Sequence, residues 1–171
     1  EEYGLDENTI VIFSSDNGTT YSRGTDAAYF NSVGNLRGLK GSVFEGGIRV
    51  PMIVRWPAKI IPGSSTDHVS AFWDVLPTIA EITGATVPDG VDGTSFLPTL
   101  RGTAQNAGSP LYWEYHAFGG MQAVRMGDWK GVRLEIRRQD DSPVLLFDLN
   151  TDESERHDVA SDNPEIVAMI R

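Results

Sequence analysis

Two neighbouring side chains that carry oxygen donors, Asp16 and Asn17, follow an apolar run in the sequence. The run extends from Thr9 to Phe13 and is rich in β-branched residues, a pattern typical of a strand buried on both faces of a parallel sheet. Ligands bind beyond the carboxyl ends of such strands, and carboxylate and amide oxygens suit a hard cation such as Ca²⁺. Asp-Asn-Gly is also a common turn sequence, and a turn is the simpler interpretation of these residues alone.

A glycine-rich segment carries the second candidate group, Lys40. Glycines on both sides of Lys40 would let a ligand approach the backbone closely, and the ammonium could serve as a point charge for an anion. From Phe30 to Ile60 the chain has five basic residues and one acidic residue, Glu45, although its net charge is −10. A solvated basic loop explains the same pattern, and a buried Arg49–Glu45 ion pair that orders the loop is a further possibility.

The residues from Asp74 to Gly84 predict a helix near these groups in the sequence. Asp74 is suited to the N-cap position, Pro77 to the first turn and Gly84 to the position after the last turn. The apolar residues that would share one face of this helix are Val75, Ile79 and Ile82.

The last third of the chain predicts a small antiparallel sheet, because its hydrophobic period shortens toward two. The four expected strands cover residues 111–115, 122–126, 129–136 and 144–147. Pro164 would open a final helix from Glu165 to Ile170. The acidic run from Asp148 to Asp158 is typical of a solvated turn before that helix.

The composition excludes several classes of protein and site. The sequence has no cysteine, which excludes a disulfide, a thiolate metal site and a thiol nucleophile. No apolar run has the roughly 20 residues that a membrane span needs, and a pI near 4.6 argues against general nucleic-acid binding. Only eight residues precede the first strand, so we expect a piece of a longer protein with an exposed apolar sheet edge. Two copies could associate through that edge.

The segments described so far, taken in order along the chain, resemble the sulfatase family, which is arylsulfatase-like and belongs to the alkaline-phosphatase superfamily. Residues 10–18 are similar to its late metal-binding strand, and residues 40–51 (Lys-Gly-Ser-Val-Phe-Glu-Gly-Gly-Ile-Arg-Val-Pro) to its lysine loop. Further similar segments are the Asp-x-x-Pro-Thr helix start at 74–79, the turn at 90–95, and the stretches 122–130 and 146–155 of the C-terminal subdomain.

The resemblance implies an α/β fold, namely the C-terminal part of an alkaline-phosphatase-like sandwich plus a small antiparallel sheet subdomain with a terminal helix. Residues 1–105 would belong to the catalytic α/β domain, which carries the metal and lysine loops. Residues 106–171 would form the small subdomain. Export to the periplasm or out of the cell is common in the family.

The resemblance also implies roles for four residues in sulfate-ester hydrolysis. Asp16 and Asn17 would be Ca²⁺ ligands, and Asp16 would lie near a hydrated formylglycine nucleophile and help deprotonate it. Lys40 would contact the sulfate or ester oxygen and stabilise developing charge. His116 would lie on the substrate side of the cleft, and the substrate would be a sulfated small molecule or glycan.

Two elements of the family pattern are absent from this sequence. No Cys or Ser begins the family's Cys/Ser-x-Pro-x-Arg nucleophile motif, and the only adjacent Asp pair, Asp140-Asp141, is typical of a turn. We therefore expect a C-terminal portion of a sulfatase that is inactive alone. The alternatives are a metal-dependent phosphatase or phosphodiesterase of the same superfamily, and a stand-alone Ca²⁺-dependent binding module.

Overall fold

The chain divides into two compact units, each built from two separate stretches of sequence. A computed structural model describes residues 2–21, 24, 26–106 and 108–171. The strand-pair unit contains the residues up to Ser14 together with Met52–Ser109, and the four-strand unit contains Ser15–Pro51 together with Pro110–Arg171. In the part of the chain that the structure describes, no helix has the length and apolar character that crossing a membrane requires.

The strand-pair unit takes its name from β1 (Val11–Ser14) and β2 (Met52–Arg55), which pair antiparallel. The apolar run therefore forms a strand as predicted, but the expectation of a parallel sheet with both faces covered is wrong for the described residues. Val11 and Phe13 are 49% and 65% exposed. Strand preference arises within the run itself, whereas burial needs a covering layer, which the described residues do not supply.

The predicted helix is present as α2 (Val75–Thr83), and it ends where the sequence indicates. Gly84 adopts a left-handed conformation with φ of 71°, and its N–H donates to the carbonyl of Ala80. A glycine meets this backbone requirement without steric cost. The most buried side chains of α2 are Pro77, Thr78 and Ala80, so the expected Val75–Ile79–Ile82 face is only partly covered.

Asp74 is the N-cap residue of α2, as predicted, but its side chain makes no capping hydrogen bond to this helix. Its two carboxylate oxygens instead accept hydrogen bonds from the backbone N–H groups of Ala71 and Thr94, each at 2.7 Å. The Thr78 hydroxyl donates to the Asp74 carbonyl at 2.6 Å and accepts from the Phe96 N–H at 3.0 Å. These buried groups fasten the segment that leads into α3 (Leu97–Leu100) to the start of α2.

The four-strand unit contains the predicted antiparallel sheet, in the order β3-β4-β5-β6. The strands are β3 (Leu111–Tyr115), β4 (Met121–Met126), β5 (Trp129–Leu134) and β6 (Leu145–Asp148), each within two residues of its predicted bounds. The final helix is present as α4 (Pro164–Ile170). β5 stops before the predicted residue 136 because Glu135 takes a positive φ of 57°, which no strand continues.

The glycine-rich segment packs onto this sheet. Two of its residues, Val43 and Phe44, are buried in one core with sheet residues Met121, Ala123, Val132 and Phe147. A single helical turn, α1 (Glu45–Ile48), follows them directly. The segment that carries Lys40 is therefore anchored by an apolar core built on the C-terminal strands, from a distant part of the sequence.

Candidate functional site

Asp16, Asn17 and Lys40 line one open pocket of about 780 Å³. Every residue in its lining belongs to the 15–51 stretch of the four-strand unit. The structure thus brings together the two oxygen-bearing residues and the lysine that the sequence analysis selected. The pocket wall is mixed, with polar groups such as Thr19 beside the apolar side chain of Leu36.

Close backbone packing positions Asp16 and Asn17. The Gly18 N–H donates to the carbonyl of Gly47 at 2.9 Å, and the Ser15 hydroxyl donates to the carbonyl of Asn17 at 2.9 Å. A Cβ on Gly18 would lie 1.9 Å from the Gly46 oxygen, so only glycine fits here. The Asp-Asn-Gly sequence therefore does more than make a turn, because Gly18 packs against the backbone of Gly46, which also lines the pocket.

The glycines around Lys40 meet a requirement of the backbone itself, and close approach of a ligand to them stays a prediction. Gly38 and Gly41 adopt φ values of 82° and 87°, which L side chains rarely reach. At Gly47 the close neighbour is protein backbone, because a Cβ would lie 2.2 Å from the Ser42 oxygen. These glycines allow the segment to fold tightly upon itself, and the Lys40 N–H then donates to the carbonyl of Thr19 at 2.8 Å.

The pocket exposes one acidic and one basic group that the described residues leave without partners. Across the described ranges, neither the Asp16 carboxylate nor the Lys40 ammonium forms an ion pair or a side-chain hydrogen bond. The other basic residue of the lining, Arg49, lies 3.7 Å from Glu153 in an exposed pair. Lys40 is therefore available to an incoming anion, and the Asp16 and Asn17 oxygens are available to a cation.

A buried charged cluster lies behind α1. We call it the Glu45–Lys130–Glu155 cluster. Lys130 Nζ lies 2.8 Å from Glu45 Oε1 and 2.8 Å from Glu155 Oε1, and the three side chains are 2% exposed or less. Glu155 Oε2 also accepts the backbone N–H of Glu45 at 2.6 Å. The expected Arg49–Glu45 pair is therefore wrong, because Glu45 takes its buried partner from β5.

Burial of Glu155 sets the direction in which the pKa of its carboxyl group shifts. Loss of solvent raises the pKa of its carboxyl group above the ordinary value, against the opposing attraction of the Lys130 ammonium. The acidic run from Asp148 to Asp158 predicted a solvated turn, and that interpretation is wrong for Glu155. The local sequence pattern gave no sign that Glu155 is buried, because its partners Glu45 and Lys130 lie 110 and 25 positions away in the sequence.

His116 does not line the pocket. Its imidazole is exposed, and its Nδ1 lies 3.4 Å from Glu114 Oε1. The Tyr112 hydroxyl donates to the other Glu114 oxygen, and this hydrogen bond lowers the pKa of the Glu114 carboxyl. A substrate role for His116 stays a prediction.

Asp140 and Asp141 lie in a turn, as expected.

The donor set at the pocket fits a hard cation only in part. Among the described residues, no three His, Cys, Asp or Glu side chains gather into a metal-binding group. Asp16 and Asn17 offer oxygen ligands of the type that Ca²⁺ prefers, whereas Ca²⁺ takes about six to eight oxygens. The two residues could form one side of a calcium site, and the remaining ligands would come from elsewhere.

The fold and the pocket together define a class of protein. Residues 39–170 match the family described as N-sulphoglucosamine sulphohydrolase, C-terminal. The chain therefore belongs to the sulfatase family, which confirms the resemblance seen in the sequence.

Named relatives agree with this assignment. Human arylsulfatase A is 32% identical over 99% of this chain, and mouse steryl-sulfatase is 39% identical over 77% of it. An N-acetylgalactosamine-6-O-sulfatase of Bacteroides thetaiotaomicron is 31% identical over 95% of the chain. The chain covers 38%, 22% and 35% of these three relatives, respectively. It thus corresponds to roughly a third or less of their length.

Solved structures confirm the fold class, which is α/β with the small sheet and terminal helix of the alkaline-phosphatase-like sulfatases. The crystal structure of Ps i-CgsB in complex with a neocarrahexaose superposes with a TM-score of 0.80 at 31% identity, covering 99% of this chain and 36% of that one. A second solved structure, from work on the metabolism of multiple glycosaminoglycans by Bacteroides thetaiotaomicron, superposes with a TM-score of 0.80 at 30% identity, covering 99% of this chain and 38% of that one. The division at residue 105 into catalytic domain and subdomain stays a prediction.

Proposed function

We propose that this chain supplies the calcium-binding and sulfate-binding edge of a sulfatase that hydrolyses sulfate esters. One observation carries the proposal: Asp16, Asn17 and Lys40 line the same pocket, and the described part of the chain leaves their charged or amide ends unpaired. A sulfate ester needs a cation and a positively charged donor on its anionic group while its bond to the alcohol breaks. These three side chains offer both.

Each residue has a proposed task in that chemistry. Asp16 and Asn17 would hold Ca²⁺, which when bound acts as a Lewis acid and orients the sulfate. Lys40 would contact a sulfate or ester oxygen, because an ammonium at close range stabilises the negative charge that develops there. Asp16 would also accept a proton from a hydrated formylglycine nucleophile. That nucleophile would come from a region outside these residues, since the sequence lacks the Cys/Ser-x-Pro-x-Arg motif.

The substrate would be a sulfated glycan or a sulfated small molecule. Similar proteins carry names and titles of both kinds, including an N-acetylgalactosamine-6-O-sulfatase, a steryl-sulfatase and a structure with a neocarrahexaose. The pocket groups named here would bind the sulfate that these substrates share, and the alcohol side would be recognised by other residues.

The direct experiment compares this chain with the product of its complete reading frame. Both are incubated with a chromogenic aryl sulfate and millimolar Ca²⁺. We expect sustained turnover from the complete protein and none from residues 1–171 alone, because the nucleophile and further metal ligands are missing from them. Sustained turnover by the 171 residues would contradict the proposal, as would absence of turnover by the complete protein on every sulfate ester tried.

The same materials distinguish the alternatives. A phosphatase or phosphodiesterase would hydrolyse an aryl phosphate or phosphodiester in preference to the matching sulfate. A calcium-dependent binding module would bind Ca²⁺ tightly as the isolated chain, which calorimetry would show. Weak binding is expected instead, because two side chains supply too few oxygens for a tight site.

Association of two copies through the strand pair remains part of the proposal. Phe13 in β1 and Ile53 in β2 are 65% and 63% exposed, so an apolar surface is available in the strand-pair unit. Sedimentation of the chain at several concentrations tests this. A monomer at all concentrations would rule it out.

A further inference from the structure

The Glu45–Lys130–Glu155 cluster is connected to the pocket through a short series of hydrogen bonds that begins at α1. Glu45 is the first residue of α1. Its side chain is held by Lys130 and its backbone N–H by Glu155, at 2.8 and 2.6 Å. Both ends of this residue are therefore fixed by charged groups from the C-terminal part of the chain.

From α1 the connection continues to both pocket segments. The Gly47 carbonyl accepts the Gly18 N–H at 2.9 Å, next to Asn17 in sequence. The Gly46 N–H donates to the Arg37 carbonyl at 2.7 Å, at the start of the turn that carries Lys40. Because α1 bonds to the segment of the oxygen donors and to the segment of the lysine, its position contributes to their separation, together with the direct bond from the Lys40 N–H to the Thr19 carbonyl at 2.8 Å.

Arg37 is fastened to the same cluster. Its guanidinium donates to the Glu155 carbonyl at 2.8 Å and lies 3.8 Å from the centre of the Phe44 ring. Glu155 thus contacts the 37–45 segment twice. Its carboxylate accepts the backbone N–H of Glu45, and its backbone carbonyl accepts a hydrogen bond from the Arg37 side chain. These contacts lie on either side of Lys40 in sequence.

The cluster is costly to bury, so its arrangement is specific. Two carboxylates face one ammonium, and Arg125 adds a second positive charge 3.7 Å from Glu45 Oε2. Removing solvent from ions costs more than a single pairing returns, and losing one partner leaves an uncompensated charge. The loop can therefore adopt only a position that keeps Glu45 within reach of Lys130 and Glu155.

We propose that Glu45, Lys130 and Glu155 are positioning residues for the pocket. They hold α1 where it fixes the distance between the Asp16–Asn17 pair and Lys40, and they touch no ligand themselves. The proposal concerns the geometry of the pocket and applies whichever anion the pocket binds. Its failure can therefore be separated from failure of the sulfatase assignment.

Amide hydrogen exchange on Lys130→Met tests the proposal. The reporters are the N–H groups of Gly18, Lys40 and Gly46, which bond across the pocket segments. We expect their exchange to accelerate by about tenfold or more. The N–H groups of Ile136 and Arg137, which bond to Gly120 and Gly119 in the same four-strand unit but outside the pocket, should accelerate clearly less. Equal acceleration at both sets would indicate a general structural role and overturn the proposal.

Two further variants keep the test decisive if Lys130→Met does not fold. Glu155→Gln keeps an oxygen that can accept the Glu45 N–H, whereas Glu155→Leu does not. We expect Glu155→Leu to accelerate exchange at the three pocket amides by several times more than Glu155→Gln. Asp6→Asn, which disrupts the exposed Arg55 pair, is the matched control and should leave these amides unchanged. Identical exchange in Glu155→Gln and Glu155→Leu would contradict the proposal.

A titration with inorganic sulfate adds a functional readout. If the wild-type chain binds sulfate at the pocket, Glu155→Leu should weaken that binding by about tenfold, while Glu155→Gln should weaken it less. Wild-type affinity in Glu155→Leu together with faster exchange at Gly18 and Lys40 would show that the pocket tolerates the movement, and would overturn the proposal. If wild-type shows no sulfate binding, the proposed sulfate-binding role of the pocket is weakened, and the exchange data still decide the positioning role.

Discussion

Among the residues that the structure describes, carboxylates are buried in two places and are satisfied in different ways. In the strand-pair unit, Asp74 accepts two backbone N–H groups, from Ala71 three residues before it and Thr94 twenty residues after it. In the four-strand unit, Glu45 and Glu155 share the ammonium of Lys130, which lies 85 residues from Glu45. The first arrangement fastens a helix to its following loop, and the second fastens a pocket loop to a distant sheet.

The two arrangements differ in how strongly a substitution should destabilise the fold. Backbone N–H donors remain in place whatever side chain replaces Asp74, so a substitution leaves neutral donors without an acceptor. In the Glu45–Lys130–Glu155 cluster, removing Lys130 leaves two buried carboxylates with only the Arg125 guanidinium, 3.7 Å from Glu45, as a positive partner. Unpaired charges cost more than unpaired neutral groups in a medium of low dielectric constant. We therefore expect the cluster to be the more sensitive of the two.

Lys130→Met should have the largest effect on stability. Loss of one partner from a buried ion pair costs about 3–5 kcal/mol, and here a single ammonium serves two carboxylates. Urea unfolding followed by the signal of the four-strand unit measures the change. The double variant Lys130→Met/Glu155→Gln should recover part of the loss, because one of the stranded charges is removed. A loss below about 1 kcal/mol for the single variant would indicate that the pairing contributes little.

Asp74→Ala should have the next largest effect. Two partly buried backbone N–H groups lose their acceptor, and because water can reach them in part, we expect a combined loss of about 1–3 kcal/mol. Asp74→Asn keeps one side-chain oxygen and should lose about half as much. Unfolding of the two variants under the same conditions makes the comparison. Equal losses would show that charge, and not the number of acceptors, matters at this position.

The pH dependence of Glu155→Gln should show a smaller effect. Burial raises the pKa of Glu155 in the folded protein, so the folded state binds the proton more tightly than the unfolded state does. This contribution to stability is complete below the ordinary value of 4.5 and is lost as the pH rises through the raised folded pKa. The stability advantage of wild-type over Glu155→Gln should therefore shrink as the pH rises above 4.5. An advantage that grows with pH would contradict this sign.

The sequence predicted the elements well where local pattern determines them. The four C-terminal strands and α4 lie within two residues of their expected bounds, and Gly84 ends α2 as predicted. Alternation of apolar residues and the left-handed preference of glycine are local properties. The partners and burial of these elements were less predictable, as the exposed Phe13 and the antiparallel pairing of β1 show.

The site was predictable only in three residues that line the pocket. Asp16, Asn17 and Lys40 stood out by residue type, and the structure places them in one pocket. Glu155 could not be found in this way, because an acidic residue in an acidic run is normally exposed. Its role depends on contacts with Glu45, which only the folded chain brings within 2.6 Å.

The most direct test of the sulfatase assignment is the effect of Lys40→Ala on the complete protein, with Lys59→Ala as the control. Lys59 is exposed and lies outside the pocket lining. With a chromogenic aryl sulfate and saturating Ca²⁺, kcat/KM should fall by about 100-fold or more for Lys40→Ala, since a charged donor to the reacting group is lost. Lys59→Ala should match wild-type. Wild-type kcat/KM in Lys40→Ala would contradict the assignment of this pocket to sulfate-ester hydrolysis.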